Sequence, residues 1–322
     1  RAMPCPYLPD RIERKVVTDL SVPNAADMYD LLSRAGFRRS HGLAYRPACP
    51  GCNACVPVRI VVGEFTADKS FRRVLRANAD LGAVARAIEG TLAEHELPPG
   101  HHAEQDRAMG FCLFNNVAVA AASARATGLD RVAVLDYDVH HGNGTQWMFY
   151  DDPSVLYVSL HQYRFYPGTG ALTDVGRGDG IGCTLNVPLE AGAGDADYDR
   201  AMRELVGPVV TAFAPELILL SAGYDAPGRD PLGGMRLSTE GYAAMTAHVQ
   251  RLAASCCDGR LAAVTEGGYD LRALDACLES TLTQLAEDPP TSATSVTGDT
   301  SRIDRVIPAV RRALGPYWPG VL

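Results

Sequence analysis

The stretch VAVLDYDVHHGNG, residues 132–144, begins with an apolar run and continues with alternating acidic and imidazole side chains. The apolar run predicts a buried strand, and the polar residues mark the point where that strand ends. Alternate residues of an extended chain lie on the same side, so we expect Asp136, Asp138 and His140 to share one side of the chain. The end of this strand is therefore the first candidate functional site.

Beyond Pro98, short apolar runs alternate with segments of helical periodicity. This alternation is typical of βα units arranged around a parallel sheet. We therefore predict an α/β fold with an open, mostly parallel sheet flanked by helices. The predicted strands are residues 131–135, 155–160, 217–221 and 261–265. The predicted helices are residues 115–127, 196–213, 239–254, 271–285 and 303–314, with a loop at 288–301.

The beginning of the chain differs from the rest in charge. Residues 1–80 hold 13 basic and 8 acidic side chains, whereas the remainder holds 17 and 30. Apolar spacing predicts a helix at 24–35, a strand at 56–62 and a second helix at 71–94. We expect a small, cysteine-containing α+β segment at residues 1–81, followed by the α/β domain at 83–322.

Length and composition limit the class of protein. With 322 residues, 47% of them hydrophobic, the chain is long enough for a large globular core. It has no run of 18 apolar residues, no secretory signal pattern, and too few cysteines for a disulfide scaffold, so we expect a soluble cytoplasmic protein. The acidic main part argues against a DNA partner. No membrane partner is indicated, and no feature predicts an oligomeric state.

Three side chains at two predicted strand ends form a candidate metal site. Asp138 and His140 lie two residues apart, and Asp225 follows the strand at 217–221. Three protein ligands leave a position for water, which is typical of a catalytic zinc ion. Two oxygen ligands also suit Fe(II). Any one of these side chains, taken alone, is equally well interpreted as a polar strand end.

Two adjacent histidines, His101 and His102, follow the rigid turn Pro98-Pro99-Gly100. Beside a metal site such a pair divides acid–base work, because one ring accepts a proton from water and the other stays protonated to help an amine leave. Asp136 and Asn143 are candidates for fixing the two tautomers. Without a metal site, the alternative is a pair of surface histidines in a loop.

The sequence Glu266-Gly267-Gly268-Tyr269-Asp270 follows the fourth predicted strand. Its two glycines permit a tight turn that presents Tyr269 to a site at the strand ends. A tyrosine hydroxyl in that place donates a hydrogen bond to a developing oxyanion. The alternative is a tyrosine packed over a glycine turn.

Six motifs follow one another in the second part of the chain. They are PPGHHA at 98–103, GFCLFNN at 110–116, DYDVHHGNGTQ at 136–146, VSLHQYRFYPGTG at 158–170, SAGYDAPGRDPLGG at 221–234 and EGGYD at 266–270. In this order they resemble the histone deacetylase and acetylpolyamine amidohydrolase superfamily over about residues 83–322. The resemblance implies a deacetylase/arginase-like fold that hydrolyses acetyl-amide bonds in acetyl-lysine or acetylated polyamines.

The resemblance also implies roles for the matched residues. The zinc ligands would be Asp138, His140 and Asp225, and Tyr269 would polarise the acetyl carbonyl. The acid–base pair and its partners would be His101, His102, Asp136 and Asn143, the asparagine being similar to the class II branch. The substrate channel would be formed by Gly110, Phe111 and Tyr166. A structural potassium site would be formed by Asp136, Asp138, His140, Ser159 and Leu160.

Four motifs near the start resemble a different family. They are PCPYLP at 4–9, LSRAGFRRS at 32–40, YRPACPGCNAC at 45–55 and RRVLRANADL at 72–81. They are similar to the N-terminal domain of bacterial aspartate/glutamate leucyltransferases, which are arginyltransferase-like enzymes that attach amino acids from tRNA to protein N-termini. The acyltransferase domain that normally follows is not matched. We therefore expect a junction near residue 81, which is either a genuine fusion or an artefact of gene assembly.

The cysteines of this segment are a second candidate site. The spacing of Cys5, Cys49, Cys52 and Cys55 suits a zinc ion or an iron–sulfur cluster, and four free thiols are the alternative.

The expected deacetylase part departs from its family at the start. Members usually carry further sheet elements and an acidic substrate-binding loop before PPGHH, and the short segment between Leu81 and Pro98 has no counterpart of them. Two other functions therefore stand beside metal-dependent deacetylation. One is a catalytically inactive hybrid, and the other is a remnant of a tRNA-dependent protein aminoacyltransferase.

Overall fold

The protein forms two compact units, Arg1–Ala67 and Asp68–Leu322. The computed structural model describes residues 3–4, 12–19, 28, 32, 35, 37–40, 43–52, 100–105, 107–110, 112, 114–291 and 295–322. The predicted strand at 56–62 and the predicted helix at 71–94 lie outside these residues.

The first unit contains small antiparallel sheets. Two strands pair as β1 with β2, and three others lie in the order β3-β5-β4, with Val17 opposite Tyr45. Ala44 is fully buried beneath Met28, Leu32 and Phe37, and Met28 and Leu32 are helical as the spacing of 24–35 predicts. The small α+β segment is therefore confirmed. Its strands are β1 Met3–Pro4, β2 Ile12–Glu13, β3 Lys15–Asp19, β4 Arg38–Ser40 and β5 Leu43–Pro47.

The second unit is built on a parallel sheet, which confirms the predicted α/β class. Five described strands lie in the order β10-β9-β6-β7-β8, and every adjacent pair is parallel. The chain thus places the carboxyl ends of β6, β9 and β10 next to one another. The strands are β6 Val132–Asp136, β7 Val155–Gln162, β8 Thr184–Leu189, β9 Leu217–Ala222 and β10 Leu261–Thr265.

One strand of this sheet, β8, is missing from the sequence prediction. Its sequence TLNVPL contains Pro188, which has no N–H to donate and so lowers the strand signal. The structure places β8 at the end of the described strand order, where proline is tolerated in a sheet.

Side chains of the strands alternate between two apolar layers. Val132 and Val134 face helix α1, whereas Ala133 and Leu135 face the larger layer of helices on the other side. Burying each such valine or leucine stabilises the fold by about 1.5–3 kcal/mol. The described helices are α1 Asn116–Ala126, α2 Asn143–Met148, α3 Asp195–Ala201, α4 Gly207–Phe213, α5 Thr239–Cys256, α6 Leu271–Ala286 and α7 Ser301–Leu314.

The observed helices agree with the predicted ones to within two residues, with two differences. The predicted helix 196–213 consists of α3 and α4 joined by a π-helical turn, Met202–Val206. Helix α2 was not predicted, because its six residues are too short for a periodic pattern. In the part of the chain that the structure describes, no helix is long and apolar enough to cross a membrane.

Candidate active site

The polar residues singled out in the sequence meet at the carboxyl ends of three adjacent strands. Asp138 and His140 follow β6, Asp225 follows β9, and Tyr269 follows β10. The loop carrying His101 lies against the same edge, since its imidazole contacts Asp136 at the end of β6. A parallel sheet commonly gathers its ligand site at this edge.

Three buried side chains form the candidate metal centre. One ligand atom from each of Asp138, His140 and Asp225 lies within 4.8 Å of the other two. His140 Nδ1 is 3.1 Å from Asp138 Oδ1 and 3.1 Å from Asp225 Oδ2. Asp225 Oδ2 is buried and makes no hydrogen bond with the described residues. Two buried carboxylates beside one imidazole therefore offer a donor set that suits a divalent cation.

Backbone amides hold the two carboxylates in place. Val139 N donates to Asp225 Oδ1 at 3.0 Å, and Gly267 N donates to Asp138 Oδ2 at 2.9 Å. A Cβ on Gly267 would lie 2.3 Å from Asp225 Oδ2 and 2.9 Å from Asp138 Oδ2. Only glycine lets the turn after β10 approach both ligands so closely.

The charges of the centre favour a bound cation. Burial opposes protonation of His140, but the hydrogen-bonded carboxylate of Asp138 and the nearby carboxylate of Asp225 outweigh it and raise its pKa to about 10. Burial and the neighbouring charge of Asp138 raise the pKa of Asp225 to about 6. The pocket thus attracts positive charge, and a metal ion that binds these side chains displaces the protons from them.

Each of the two neighbouring histidines has a different partner. His101 Nδ1 lies 2.7 Å from Asp136 Oδ2, and His102 Nδ1 lies 2.8 Å from Asn143 Oδ1. Burial lowers the pKa of His101, but Asp136 and Asp138 outweigh it and raise that pKa well above its usual value. Burial and the charge of His101 lower the pKa of His102 to about 3. The pair therefore combines one ring that keeps a proton with one that stays neutral.

Three carboxylates that the sequence analysis did not assign support these groups. Glu104 Oε1 accepts from Asn143 Nδ2 at 2.6 Å, and Glu266 Oε2 accepts from His101 N at 3.0 Å. Asp230 accepts from the backbone N–H of Tyr269 at 2.6 Å. Glu266 and Asp230 lie inside the EGGYD and SAGYDAPGRDPLGG motifs, so their motif membership was the available signal.

Tyr269 is half-buried at the start of α6. Burial and the negative charges of Asp138 and Asp225 raise the pKa of its hydroxyl. The hydroxyl therefore keeps its proton and can donate a hydrogen bond into the site.

Aromatic rings border the candidate site. The ring centroid of Tyr166 lies 5.1 Å from that of His102, and Phe165 stacks on His140 at 5.4 Å. Gly110 has φ +57°, and a Cβ there would lie 2.1 Å from the His102 ring. Two of the three predicted channel residues thus lie beside the histidines, whereas Phe111 is outside the described residues. Phe165 was not predicted.

The predicted potassium residues lie at the end of β6, just after it, and within β7. Asp136 and Ser159 are opposite each other in the register of the two strands, and both are buried. Ser159 Oγ lies 2.9 Å from His161 Nδ1. The potassium site stays a prediction.

The second candidate site is only partly described. Cys49 Sγ accepts from Arg14 N at 3.4 Å, and Cys49 and Cys52 are free thiols. Cys5 and Cys55 lie outside the described residues, so a zinc ion or iron–sulfur cluster here stays a prediction.

Two family models match the chain. The model described as "Histone deacetylase domain" matches residues 64–285, and the model described as "Arginine-tRNA-protein transferase, N terminus" matches residues 3–73. The chain therefore joins a transferase-type segment to a deacetylase-type domain. The predicted junction near residue 81 lies outside the described residues and stays a prediction.

Several curated deacetylases are similar to this chain. A chloroplastic histone deacetylase 10 of Oryza sativa subsp. japonica is 45% identical over 61% of this chain and 44% of its own length. The polyamine deacetylase HDAC10 of Homo sapiens is 43% identical over 69% of this chain and 34% of its own length. The chain thus spans less than half the length of these two relatives.

A solved structure has the same fold. The crystal structure of the HDA15 HD domain superposes with a TM-score of 0.65 at 37% identity, covering 78% of this chain and 70% of that one. The deacetylase model covers well over half of the sequence. On these matches, the chain belongs to the histone deacetylase family.

Proposed function

We propose that this protein is a metal-dependent hydrolase that removes acetyl groups from acetyl-lysine or from acetylated polyamines. The observation that carries the proposal is the buried group Asp138, His140 and Asp225. Within it, Asp225 Oδ2 lies 3.1 Å from His140 Nδ1 but accepts no hydrogen bond of good geometry from any described residue. A structural network of buried polar groups would satisfy that atom, whereas a metal site requires it to be available.

The three ligands would hold a divalent cation, which we propose to be zinc, with Fe(II) as the alternative that the two carboxylates allow. Such an ion polarises the acetyl carbonyl and lowers the pKa of water in the site. We further propose that the residues near the ends of β6 and β7 hold a structural potassium ion, as the family resemblance implies.

His102 is the proposed base. Asn143 engages its Nδ1 atom, so its Nε2 atom is left for proton transfer. Burial and the adjacent charge of His101 keep the pKa of His102 low, and a neutral ring accepts a proton from the attacking water.

His101 is the proposed acid. Asp136 engages its Nδ1 atom and favours the protonated ring. A protonated His101 stabilises negative charge near Asp138 and donates a proton to the leaving amine. Asp136 thus favours a protonated His101, whereas burial and the charge of His101 keep His102 neutral and Asn143 fixes its tautomer.

Tyr269 is the proposed oxyanion donor. Its hydroxyl is protonated, because burial and two nearby carboxylates raise its pKa. A positioned donor of this kind stabilises the charge that develops on the acetyl oxygen as water attacks.

The proposed substrates share an acetylated amine at the end of an aliphatic chain. Phe165, Tyr166 and Gly110 flank the histidines, and aromatic rings beside such a chain shield it from water. Either a lysine side chain or a polyamine meets this requirement. We propose no aminoacyl transfer. The transferase model covers only residues 3–73, and none of the proposed catalytic or metal-binding residues lies in that range.

The test is acetate release from an acetyl-lysine peptide and from an N-acetylated polyamine. The full chain is stripped with a chelator, reloaded with Zn²⁺ or Fe²⁺, and compared with an Asp225→Ala variant and with Tyr269→Phe. We expect release only with metal, none from Asp225→Ala, and a loss of about 10²- to 10³-fold in Tyr269→Phe. Equal release before and after chelation, or no release with any metal, would overturn the proposal.

A further inference from the structure

Asp230 lies in the loop between β9 and α5 and contacts backbone rather than a charged partner. Its Oδ2 atom accepts from Tyr269 N at 2.6 Å and from Asp270 N at 3.0 Å, and its Oδ1 atom accepts from Leu232 N at 2.9 Å. The side chain is 5% exposed. A single buried carboxylate thus joins the loop after β9 to the turn after β10.

The turn after β10, which Asp230 contacts, contains two flexible residues. Gly267 and Gly268 precede Tyr269, and Gly268 has φ +149°, a conformation that only glycine adopts readily. Upstream, the turn is anchored because Gly267 N donates to Asp138 Oδ2 and Gly267 O accepts from Tyr224 N at 2.7 Å. Downstream of the glycines, Tyr269 N and Asp270 N donate hydrogen bonds to Asp230. The Asp270 side chain is held separately, 3.7 Å from Arg229 Nε and by capping α6.

The hydroxyl of Tyr269 has no comparable anchor. No described residue forms a hydrogen bond with it, so the hydrogen bonds that hold Tyr269 are those of its backbone. Asp270, the next residue, caps α6 by accepting from Arg272 N and Ala273 N. The carboxylate of Asp230 therefore fixes both the backbone of Tyr269 and the first residue of the helix that follows.

We propose that Asp230 is a positioning residue, which acts on the reaction by holding the Tyr269 hydroxyl at the place where it meets the acetyl oxygen. The inference rests on the proposed function for its kinetic consequence, but the clamp itself belongs to the fold. A displacement of a catalytic group by about 1 Å costs up to about 100-fold in rate. The contribution of Asp230 to the rate therefore passes through Tyr269.

The kinetic test is a double-mutant cycle with zinc-loaded protein and an acetyl-lysine peptide. Asp230→Asn and Asp230→Ala are each made in the native chain and in Tyr269→Phe. We expect Asp230→Ala to lower kcat by about 10- to 100-fold in the native chain, and by less than about threefold in Tyr269→Phe. Equal losses in both backgrounds would overturn the proposal, because a purely structural aspartate acts independently of the hydroxyl. Asp230→Asn keeps the test available if Asp230→Ala does not fold.

The matched control is Asp197→Asn. Asp197 is also buried and also accepts from two backbone amides, Gly194 N at 3.1 Å and Ile303 N at 3.0 Å, away from the site. We expect it to lower stability without the coupling to Tyr269.

A second readout does not depend on turnover. Hydrogen exchange of the Tyr269 and Asp270 amides is measured in metal-free protein. We expect it to rise about tenfold or more in Asp230→Ala, which removes the acceptor of both amides, but not in Asp197→Ala. Unchanged exchange would overturn the clamp. If the native protein shows no turnover but the variants show this exchange pattern, the proposed function is refuted, whereas the role of Asp230 in holding the Tyr269 backbone is supported.

Discussion

The His101 imidazole lies 2.7 Å from the Asp136 carboxylate, and both side chains are almost fully buried. Burial alone would favour a neutral His101, so the protonated ring depends on Asp136 and on the nearby charge of Asp138. Asp136→Asn keeps the size of the side chain but removes one of these charges. We expect kcat/KM for acetyl-peptide hydrolysis to fall by about 10- to 100-fold, as for other partners that fix a site histidine.

The control for this prediction is Asp151→Asn, which alters an exposed carboxylate paired with Arg177. It should keep native activity. Native kcat/KM in Asp136→Asn, measured from pH 6 to pH 9, would contradict the assigned role of the pair.

We expect metal affinity to depend on Asp225 Oδ2, which accepts no hydrogen bond of good geometry from any described residue. Asp225→Asn removes the charge of this ligand, although Val139 N still has an oxygen to donate to. A metal that binds only the folded state raises the melting temperature, so native protein is expected to gain stability on titration with Zn²⁺. We expect Asp225→Asn to lose most of that gain and at least tenfold in zinc affinity.

The comparison is made by calorimetry and by metal content after dialysis. Asp197→Asn, a buried aspartate apart from the site, should bind zinc as the native chain does. Equal zinc content in native protein and Asp225→Asn would remove Asp225 from the ligand set.

The sequence identified the parts of the site that are close together in the chain. Asp138 and His140 are two residues apart at a strand end, and the alternation of an extended chain was enough to bring them together. Asp225 was found because parallel strands place their carboxyl ends at one edge. The fold class followed from the same alternation of apolar runs and helices. The prediction missed β8, weakened by Pro188, the short helix α2, and the strands β1–β5 of the first unit.

The contacts of the supporting carboxylates could not be predicted from strand alternation or from the order of parallel strands. Glu104 meets Asn143 across 39 residues, and Glu266 meets His101 N across 165. A glutamate in a sequence carries no sign of which distant amide it accepts from, because that contact is created by packing of separate loops on the sheet edge. The EGGYD motif marked Glu266 as relevant, whereas Glu104 lies just after PPGHHA and carried no such signal; the partners of both came only from the structure.

The raised pKa of Glu266 predicts that the stability of the folded protein depends on pH. Burial and the charges of Asp136 and Asp138 outweigh the help from His101 and raise the pKa of Glu266 to about 7. The residue is only partly buried, but both of its carboxylate oxygens are engaged, because they accept hydrogen bonds from His101 N and Ser221 Oγ. The unfolded chain loses this proton near pH 4.5, whereas the folded protein keeps it until about pH 7, so stability falls as pH rises between these values.

The free energy of unfolding of metal-free protein falls by at most about 3 kcal/mol over this pH range. Glu266→Gln cannot ionise, and we expect its melting temperature to increase relative to the native chain as pH rises from 5 to 8. The exposed control Glu190→Gln should follow the native curve. A difference between Glu266→Gln and native protein that is constant with pH would show that ionisation of Glu266 carries no cost.

The hydrogen bond between Asn143 and Glu104 predicts that activity lost by changing Asn143 is restored by a second change at Glu104. Asn143 Nδ2 donates to Glu104 Oε1 at 2.6 Å, which turns the amide oxygen towards His102 Nδ1. Asn143→Asp would replace this hydrogen bond by two carboxylates at the same distance, and their repulsion would displace one of them. We expect kcat/KM to fall by about tenfold or more.

Adding Glu104→Gln to Asn143→Asp restores a donor opposite the new carboxylate, so we expect kcat/KM of the double variant to return to within about threefold of the native value. Glu104→Gln alone keeps an acceptor for Asn143 and should have a small effect. A double variant no better than Asn143→Asp alone would mean that Glu104 does not orient the partner of His102.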